Sequence, residues 1–85
     1  MAKYTIEIEN QIDQIVELTL EPEGGDFWIA PGESLTVTSE VPAKTEVPFV
    51  AQVTPDGISV WSSYGNGSIY SSSGEGLDYG YNRPE

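Results

Sequence analysis

The sequence contains no cysteine and no histidine among its 85 residues. Without cysteine the chain has no disulfide framework, no thiol nucleophile and no thiolate ligand for a metal. Without histidine it also lacks the usual zinc sites and every catalytic triad built on an imidazole. These two absences favour a protein that has neither a metal centre nor a catalytic centre.

Basic residues are scarce as well. Three lysines and arginines stand against 14 aspartates and glutamates, which gives a formal net charge of −11. A surface of this charge repels nucleic acid and anionic lipid, so we expect no direct contact with nucleic acid or with a membrane. The excess of acid serves either solubility or the recognition of a basic protein.

Long apolar runs and helical periodicity are also missing. No stretch approaches the ~18 apolar residues of a membrane span, and the N-terminal residues MAKYTIEIEN lack the apolar region of a signal peptide. Apolar residues do not recur at the spacing of an amphipathic helix. These absences predict a cytoplasmic protein without helices.

Short alternating segments make up much of the chain instead. Residues 3–10 and 15–21 place apolar and polar side chains on opposite faces, as half-buried strands do. If these two segments pair as a hairpin, four glutamates share one solvent-facing side: Glu7, Glu9, Glu17 and Glu21. Like charges on one sheet face are mildly destabilising, but they protect a sheet edge from wrong partners.

The stretch 20–37 contains two turns. Residues 22–26 have the sequence PEGGD and predict a chain reversal, and residues 30–33 have the APGE pattern of a type II turn. The segments on either side of the second turn, 26–30 and 34–39, form either a loose hairpin or an arch between two sheets. If Phe27 and Ile29 face the core, then Trp28 faces outward.

Residues 49–62 contain the clearest hairpin. The sequence TPDG at 54–57 predicts a three-residue loop with a G1 bulge. In that register Thr54 faces Ile58, and Phe49 lies on the same face as Trp61. Prolines at 42 and 48 predict that the preceding residues 41–47 form a crossing loop.

The C-terminal residues differ in composition from the rest. Residues 71–85 are rich in glycine, serine and tyrosine, and Leu77 is their one aliphatic residue. Residues 64–68 predict a turn before them, and residues 69–70 a last short strand. We therefore expect a β-sandwich domain over 1–70 and a tail over 71–85 that is either loosely held or docked as a final strand.

Part of the chain resembles known groups of proteins. Residues 18–37, with LTLEP, an acidic-glycine turn and APGES at a strand start, resemble a recurrent pattern in short uncharacterised bacterial β-proteins. The run DGISVW at 56–61 is similar to their later hairpin, and the PGES strand start resembles that of immunoglobulin-like β-sandwich modules. The resemblance rests on turn chemistry, so it implies a fold but no functional residues.

Together these segments predict a single all-β domain, a small antiparallel β-sandwich or flattened barrel of six to seven short strands. The expected core is aliphatic: Ile6, Ile8, Val16, Leu18, Leu20, Ile29, Leu35, Val37, Val50, Ile58 and Val60.

Aromatic and acidic side chains are the candidate binding residues. Aromatic residues beside serine, glycine and asparagine suit contact surfaces, because they offer a large area at a small entropic cost. We predict that a partner meets these residues: Trp28, Phe49, Trp61, Tyr64, Tyr70, Glu7, Glu9, Glu17 and Glu21. The alternative for either tryptophan is an ordinary place in the core.

The acidic residues do not define a metal site or a catalytic site. The loop with Glu21, Glu23 and Asp26 offers oxygen ligands but lacks the ligand series of an EF-hand. Catalytic carboxylates need a pocket that perturbs their pKa values, and so short a chain has little room for one. We therefore predict a non-catalytic module, with no cofactor and no metal, that binds a protein, with a basic protein as the candidate partner. Two alternatives stay open: an acidic inhibitor that mimics nucleic acid and blocks a DNA- or RNA-binding protein, and a small glycan-binding domain.

Overall fold

The computed structural model describes residues 1–65 and 67–85 and contains seven strands and no helix within them. The strands are β1 (Ala2–Glu9), β2 (Val16–Glu21), β3 (Gly25–Ile29), β4 (Ser34–Val41), β5 (Phe49–Thr54), β6 (Gly57–Ser62) and β7 (Ser68–Ser71). They confirm the all-β class and the number of strands. The turn predicted over 64–68 includes Asn66, which lies outside the described residues.

The strands form two sheets that pack against each other as a small sandwich. The three-stranded sheet has the order β1-β4-β7, and the four-stranded sheet has the order β3-β2-β6-β5. Every pairing is antiparallel, as predicted, except that β2 and β6 are parallel. The exception arises because the chain leaves the four-stranded sheet after β3, builds β4 in the other sheet, and returns as β5 and β6. Parallel neighbours require a crossover of this kind.

The hairpin considered for the first two strands does not form, since β1 pairs with β4 in the other sheet. The connection over 10–15 instead steps between the sheets, and the buried side chain of Asn10 holds it there. The Asn10 amide nitrogen donates to the carbonyls of Gln14 at 2.9 Å and Ile29 at 2.8 Å, and its oxygen accepts from the Ile12 N–H at 3.0 Å. Because its nitrogen and its oxygen are both hydrogen-bonded, the buried amide of Asn10 fixes the 10–15 connection against β3.

The core lies between the sheets and contains most of the aliphatic residues predicted for it. Its buried cluster is Leu18, Leu20, Phe27, Ile29, Leu35, Val37, Val60 and Ile69, with Ile6, Ile8 and Ile58 packed against it. Val50 was wrongly predicted to be core, because its side chain is 47% exposed on the outer face. Val41, at the end of β4, is fully buried although the sequence predicted a loop there.

The predicted turn at Pro31 and Gly32 forms an arch from β3 to β4. Gly32 has a φ of 80°, and the Glu33 N–H donates to the Ala30 carbonyl at 2.9 Å, as expected for this turn. The Glu33 carboxylate accepts a further hydrogen bond from the Ala30 N–H at 2.9 Å and one from the Tyr81 hydroxyl. The arch is thereby fastened to the C-terminal part of the chain.

The β5–β6 hairpin exists, but its predicted register is wrong by one residue. Thr54 lies opposite Gly57 rather than Ile58, so the loop between the strands has two residues. The shift places Phe49 on the inner face and Trp61 on the outer face. Gly57 permits the neighbouring parallel pairing: a Cβ atom there would lie 2.2 Å from the Glu17 carbonyl oxygen, so any larger residue would push β6 away from β2.

Residues 71–85, which we call the C-terminal segment, lie along one side of the sandwich. On the edge of β7, the Leu77 N–H donates to the Ile69 carbonyl at 2.9 Å. On the edge of β3, the Gly80 N–H donates to the Asp26 carbonyl at 2.7 Å, and Tyr81 accepts from the Trp28 N–H at 2.9 Å. The segment therefore contacts one edge strand of each sheet.

Candidate functional site

The outer face of the four-stranded sheet carries both tryptophans of the chain. Trp28 of β3 lies beside Glu17 of β2, and Trp61 of β6 lies beside Glu21 of the same strand. Side chains alternate between the faces of a strand, and the neighbours Phe27, Leu18 and Val60 are buried inward. We call the surface formed by Trp28, Glu17, Glu21 and Trp61 the tryptophan face.

The two tryptophans stand at opposite corners of this face. They are separated by two strand spacings, or about 10 Å, across the sheet and by four residues, or about 13 Å, along it. Thr19 of β2 and Ser59 of β6 lie opposite each other between them. The face therefore presents two aromatic corners with two carboxylates and two hydroxyls in the middle.

A charged network holds the Trp28 corner. The Trp28 indole N–H donates to Asp26 Oδ2 at 2.9 Å, and the Arg83 guanidinium binds both oxygens of the same carboxylate at 2.8 Å. Arg83, and after it the indole N–H, hold the pKa of the Asp26 carboxyl well below its usual range. Because Arg83 belongs to the C-terminal segment, that segment also fixes one corner of the tryptophan face.

The Trp61 corner is more exposed and more apolar. Its indole N–H donates to Gln52 Oε1 at 3.0 Å, and its cross-strand neighbour is Val50 of β5. The side chains of Trp61 and Val50 are 40% and 47% exposed. An aromatic ring next to an exposed valine offers apolar contact area that the chain itself leaves open.

The other predicted site residues lie elsewhere. Glu7 and Glu9 project from the outer face of the three-stranded sheet, where Tyr70 lies across Thr36 from Glu7. Tyr64 is exposed after β6, and Phe49 packs half-buried against the core. The expectation that all four glutamates share one side is therefore wrong, because β1 and β2 belong to different sheets. The structure brings together two of them, Glu17 and Glu21, with the two tryptophans.

The residues that position the tryptophans were not singled out from the sequence. Asp26 precedes Trp28 by two residues, so strand periodicity alone places both on one face and could have found the pair. Arg83 is 57 residues from Asp26, and no local pattern announces such a contact. Gln52 reaches Trp61 because of the register of the β5–β6 hairpin, which was predicted wrongly by one residue.

A cleft of about 490 Å³ opens at one end of the sandwich, between the 10–15 connection and the tip of the β5–β6 hairpin. Its apolar lining includes Ile12, Ile15, Val53 and Ile58. Val53 at its rim is 86% exposed. The cleft therefore extends the exposed apolar surface of β5 toward the interior of the sandwich.

Two kinds of site were not found among the described residues. They contain no group of three or more acidic side chains arranged to hold a metal ion, and no helix long and apolar enough to cross a membrane.

Compared with protein families, with curated proteins and with solved structures, the chain matches none. The tryptophan face must therefore be interpreted from its own chemistry.

Proposed function

We propose that the chain is a non-catalytic binding module that recognises a basic segment of a protein partner through the tryptophan face. The observation that carries this proposal is the pairing of each tryptophan with a glutamate on the neighbouring strand. A lysine or arginine placed over an indole ring gains a cation–π attraction of about 0.5–2 kcal/mol. A carboxylate beside the ring adds a charge-assisted hydrogen bond to the same cation.

The arrangement of the tryptophans supports binding rather than catalysis. Both indole N–H groups already donate to side chains of the same face, Trp28 to Asp26 and Trp61 to Gln52. Rings held in this way lose less conformational entropy when a partner arrives. A depression of about 330 Å³ beside Glu17, Thr19 and Ser59 lies on this surface and is open to solvent, so the surface suits a flat or extended partner better than an enclosed small substrate.

The charge of the chain favours a basic partner. A net charge of −11 attracts cationic segments over a distance and raises the rate at which they meet the protein. This long-range attraction acts on every part of the surface. Among the described residues, the tryptophan face combines it with two indole rings, whereas the outer face of the three-stranded sheet offers the half-buried ring of Tyr70.

Two double variants of equal net charge test the proposal. We would titrate the protein with an eight-residue peptide of alternating lysine and valine and measure the affinity by calorimetry. The Glu17→Gln/Glu21→Gln variant should bind about tenfold more weakly, as should Trp61→Ala. The matched control, Glu7→Gln/Glu9→Gln, removes the same charge from the opposite face and should change the affinity less than about twofold. Equal losses in both double variants would show unspecific charge attraction and refute the proposal.

A glycan-binding function is the second candidate, because hydroxyl and amide groups lie between the tryptophans. Thr19, Ser59 and Gln52 share the outer face in one row across three strands. Such groups can bind sugar hydroxyls while the indole rings stack on the sugar. Binding of a neutral oligosaccharide would be insensitive to sodium chloride, whereas binding of the basic peptide should weaken as salt screens the charges. Soluble cello- and chito-oligosaccharides, titrated at low and high salt, distinguish the two functions.

A further inference from the structure

The four edge strands of the two sheets are protected to very different degrees. The C-terminal segment covers the edges of β3 and β7 with backbone hydrogen bonds. The edge strand β1 carries the charged residues Lys3, Glu7 and Glu9 on its exposed face. Charges on an edge strand discourage pairing with another chain. Three of the four edges are therefore either covered or charged.

The fourth edge strand, β5, has neither protection. Its six residues, FVAQVT, contain no charge and no proline, and within the described part of the chain no segment pairs with its outer edge. Its side chains are exposed on both faces, with Val50 on one and Val53 on the other. Every second residue of an edge strand directs its backbone N–H and C=O away from the sheet, so β5 offers unpaired donors and acceptors to a further strand.

From these observations we infer that β5 binds an extended segment of the basic partner by strand addition, which enlarges the four-stranded sheet by one strand. This inference rests on the proposed function and specifies the conformation and the sequence pattern of the segment. A strand added to β5 lies next to the Trp61 corner, so Glu17 and Glu21 on β2 attract its lysines through space, and Trp28 on β3 lies out of its reach. Main-chain hydrogen bonds supply affinity in this mode of recognition, and alternate side chains supply specificity.

The two faces of β5 define the pattern of the added strand. On the inner side, the side chains of the added strand meet Ala51 and Val53 beside the mouth of the apolar cleft. The added strand therefore takes apolar residues at its inward-facing positions. On the outer side they meet Val50 and point along the tryptophan face, with Trp61 on the next strand. Long basic side chains extend over Val50 toward the Trp61 ring, their stems on the valine and their charges near the ring. The segment is therefore extended, with apolar and basic residues in alternation.

The charge of the protein argues for such a partner and against a second copy of this chain. Two copies would each bring a net charge of −11 to the same interface, and like charges oppose association. A basic segment is instead attracted, because its positive charge is opposite to the net charge of the protein. We therefore commit to a basic partner as the occupant of the β5 edge.

Hydrogen exchange of the full chain with the lysine–valine peptide tests this inference. On binding, alternate backbone amides of residues 49–54 should exchange at least about tenfold more slowly. The amides of β1, which forms the charged edge, serve as the internal control and should not change. N-methylation of the four valines in one peptide analogue, and of the four lysines in another, removes the donors from one peptide edge at a time. We expect one analogue to lose at least about tenfold in affinity and the other to lose less.

The outcomes separate this inference from the proposed function. If the peptide binds, depends on Glu17 and Glu21, and leaves the exchange of β5 unchanged, strand addition is refuted and the proposed function stands. If both N-methylated analogues bind as well as the parent peptide, strand addition is refuted in the same way. If β5 becomes protected without peptide and the chain sediments as a dimer, the occupant is a second copy and the inference is wrong. If the peptide does not bind at all, the proposed function and the inference both fail.

Discussion

The edge strands on the two long sides of this sandwich are protected in different ways. On one side the C-terminal segment lies over the edges of β7 and β3, joined to them by backbone hydrogen bonds and by Arg83 and Tyr81. On the other side β1 relies on charged side chains, and β5 is left uncharged and uncovered. Covering an edge prevents it from pairing with other chains, so the proposed strand addition is possible on the second side and not on the first.

The same contrast runs through the tryptophan face. Trp28, next to the covered edge, is held by its backbone bond to Tyr81 and by the network of Asp26 and Arg83. Trp61, next to the open edge, is held through Gln52 and is more exposed. Trp28 is therefore the more firmly held ring, and Trp61 is the ring that we expect to adjust when the proposed partner binds.

Removal of the C-terminal segment should have the largest effect. A chain ending at Ser73 loses the backbone bonds to Ile69, Asp26 and Trp28 and the side-chain contacts of Tyr81 and Arg83. At about 0.5–1.5 kcal/mol for each bond, the three backbone bonds and the Tyr81 hydrogen bond together contribute about 4 kcal/mol, which is comparable with the stability of a small domain. Thermal unfolding followed by circular dichroism should show a poorly folded chain. A loosely held tail would instead leave the melting temperature within a few degrees of that of the full chain.

A single methyl group should disturb the covered side strongly. A Cβ atom on Gly25 would lie 2.2 Å from the Tyr79 ring, which itself packs edge-to-face on Phe27. Gly25→Ala must therefore displace Tyr79, and we expect a loss of about 2 kcal/mol. Gly76→Ala is the matched control, because its Cβ would make an ordinary contact of 3.7 Å with Tyr70. Equal urea midpoints for the two variants would contradict this account of the packing.

The hydroxyl of Tyr81 should contribute less. Its hydrogen bond to the Glu33 carboxylate raises the pKa of the phenol, and Tyr81→Phe should destabilise the protein by about 1.5 kcal/mol at pH 7. A raised phenol pKa stabilises the fold below the unfolded value of about 10 and loses this effect as the pH rises through the folded value. The difference in urea midpoint between wild type and variant should therefore shrink above about pH 10. Tyr64→Phe, at an exposed position, should show no difference at any pH.

The ion pair of Arg83 with Asp26 should have a smaller effect, which depends on acid pH. Arg83 lowers the pKa of Asp26, so its stabilisation is present above the unfolded carboxyl value of about 3.9 and is lost as the pH falls through the lower folded value. We expect Arg83→Gln to lower the urea midpoint at pH 7 and to approach wild type near pH 2. A difference that stays constant across this range would mean that Arg83 acts through packing instead of charge.

The open side should tolerate substitution best. Val53→Lys places a charge on the exposed edge strand, where the side chain makes little contact with the core, and should change stability by less than about 0.5 kcal/mol. The lysine supplies the protection that β5 lacks, so binding of the lysine–valine peptide should nevertheless fall. If peptide affinity is unchanged, the contrast between the two sides has no bearing on recognition.

The positions of the strands could be predicted because strand formation is visible locally. Alternation of Tyr4, Ile6 and Ile8 with polar residues, or the APGE turn, needs only a few neighbouring residues to be recognised. Which strands pair is a different question, since β1 lies against β4 and β2 lies against β6. Those choices depend on how whole faces pack, so the first two strands were wrongly joined and Glu7 and Glu9 were placed with Glu17 and Glu21.

The candidate site was predictable to a similar extent. Burial of Phe27 and Ile29 sends Trp28 outward by parity alone, and this prediction is confirmed. Trp61 faces outward as the predicted burial of Ile58 and Val60 implies, but Val50 and Phe49 were placed on the wrong faces. The loop after Thr54 is one residue shorter than predicted, and a slip of one residue exchanges the two faces of a strand. The contacts of Asp26 with Arg83 and of Glu33 with Tyr81 join distant parts of the chain, which explains why no local pattern indicated them.

The strand order also determines when the protein can fold as it is synthesised. The β2–β3 and β5–β6 hairpins join neighbouring segments and can form early, but the three-stranded sheet has no such pair. Its first strand must wait for β4, and β4 for β7, which ends at Ser71. Long loops must close, at a cost in entropy, before distant strands can make contact. Chains of this kind therefore fold in milliseconds to seconds rather than microseconds. Until Ser71 has emerged, the three-stranded sheet lacks its last strand, and we expect the nascent chain to be most prone to aggregation during that interval.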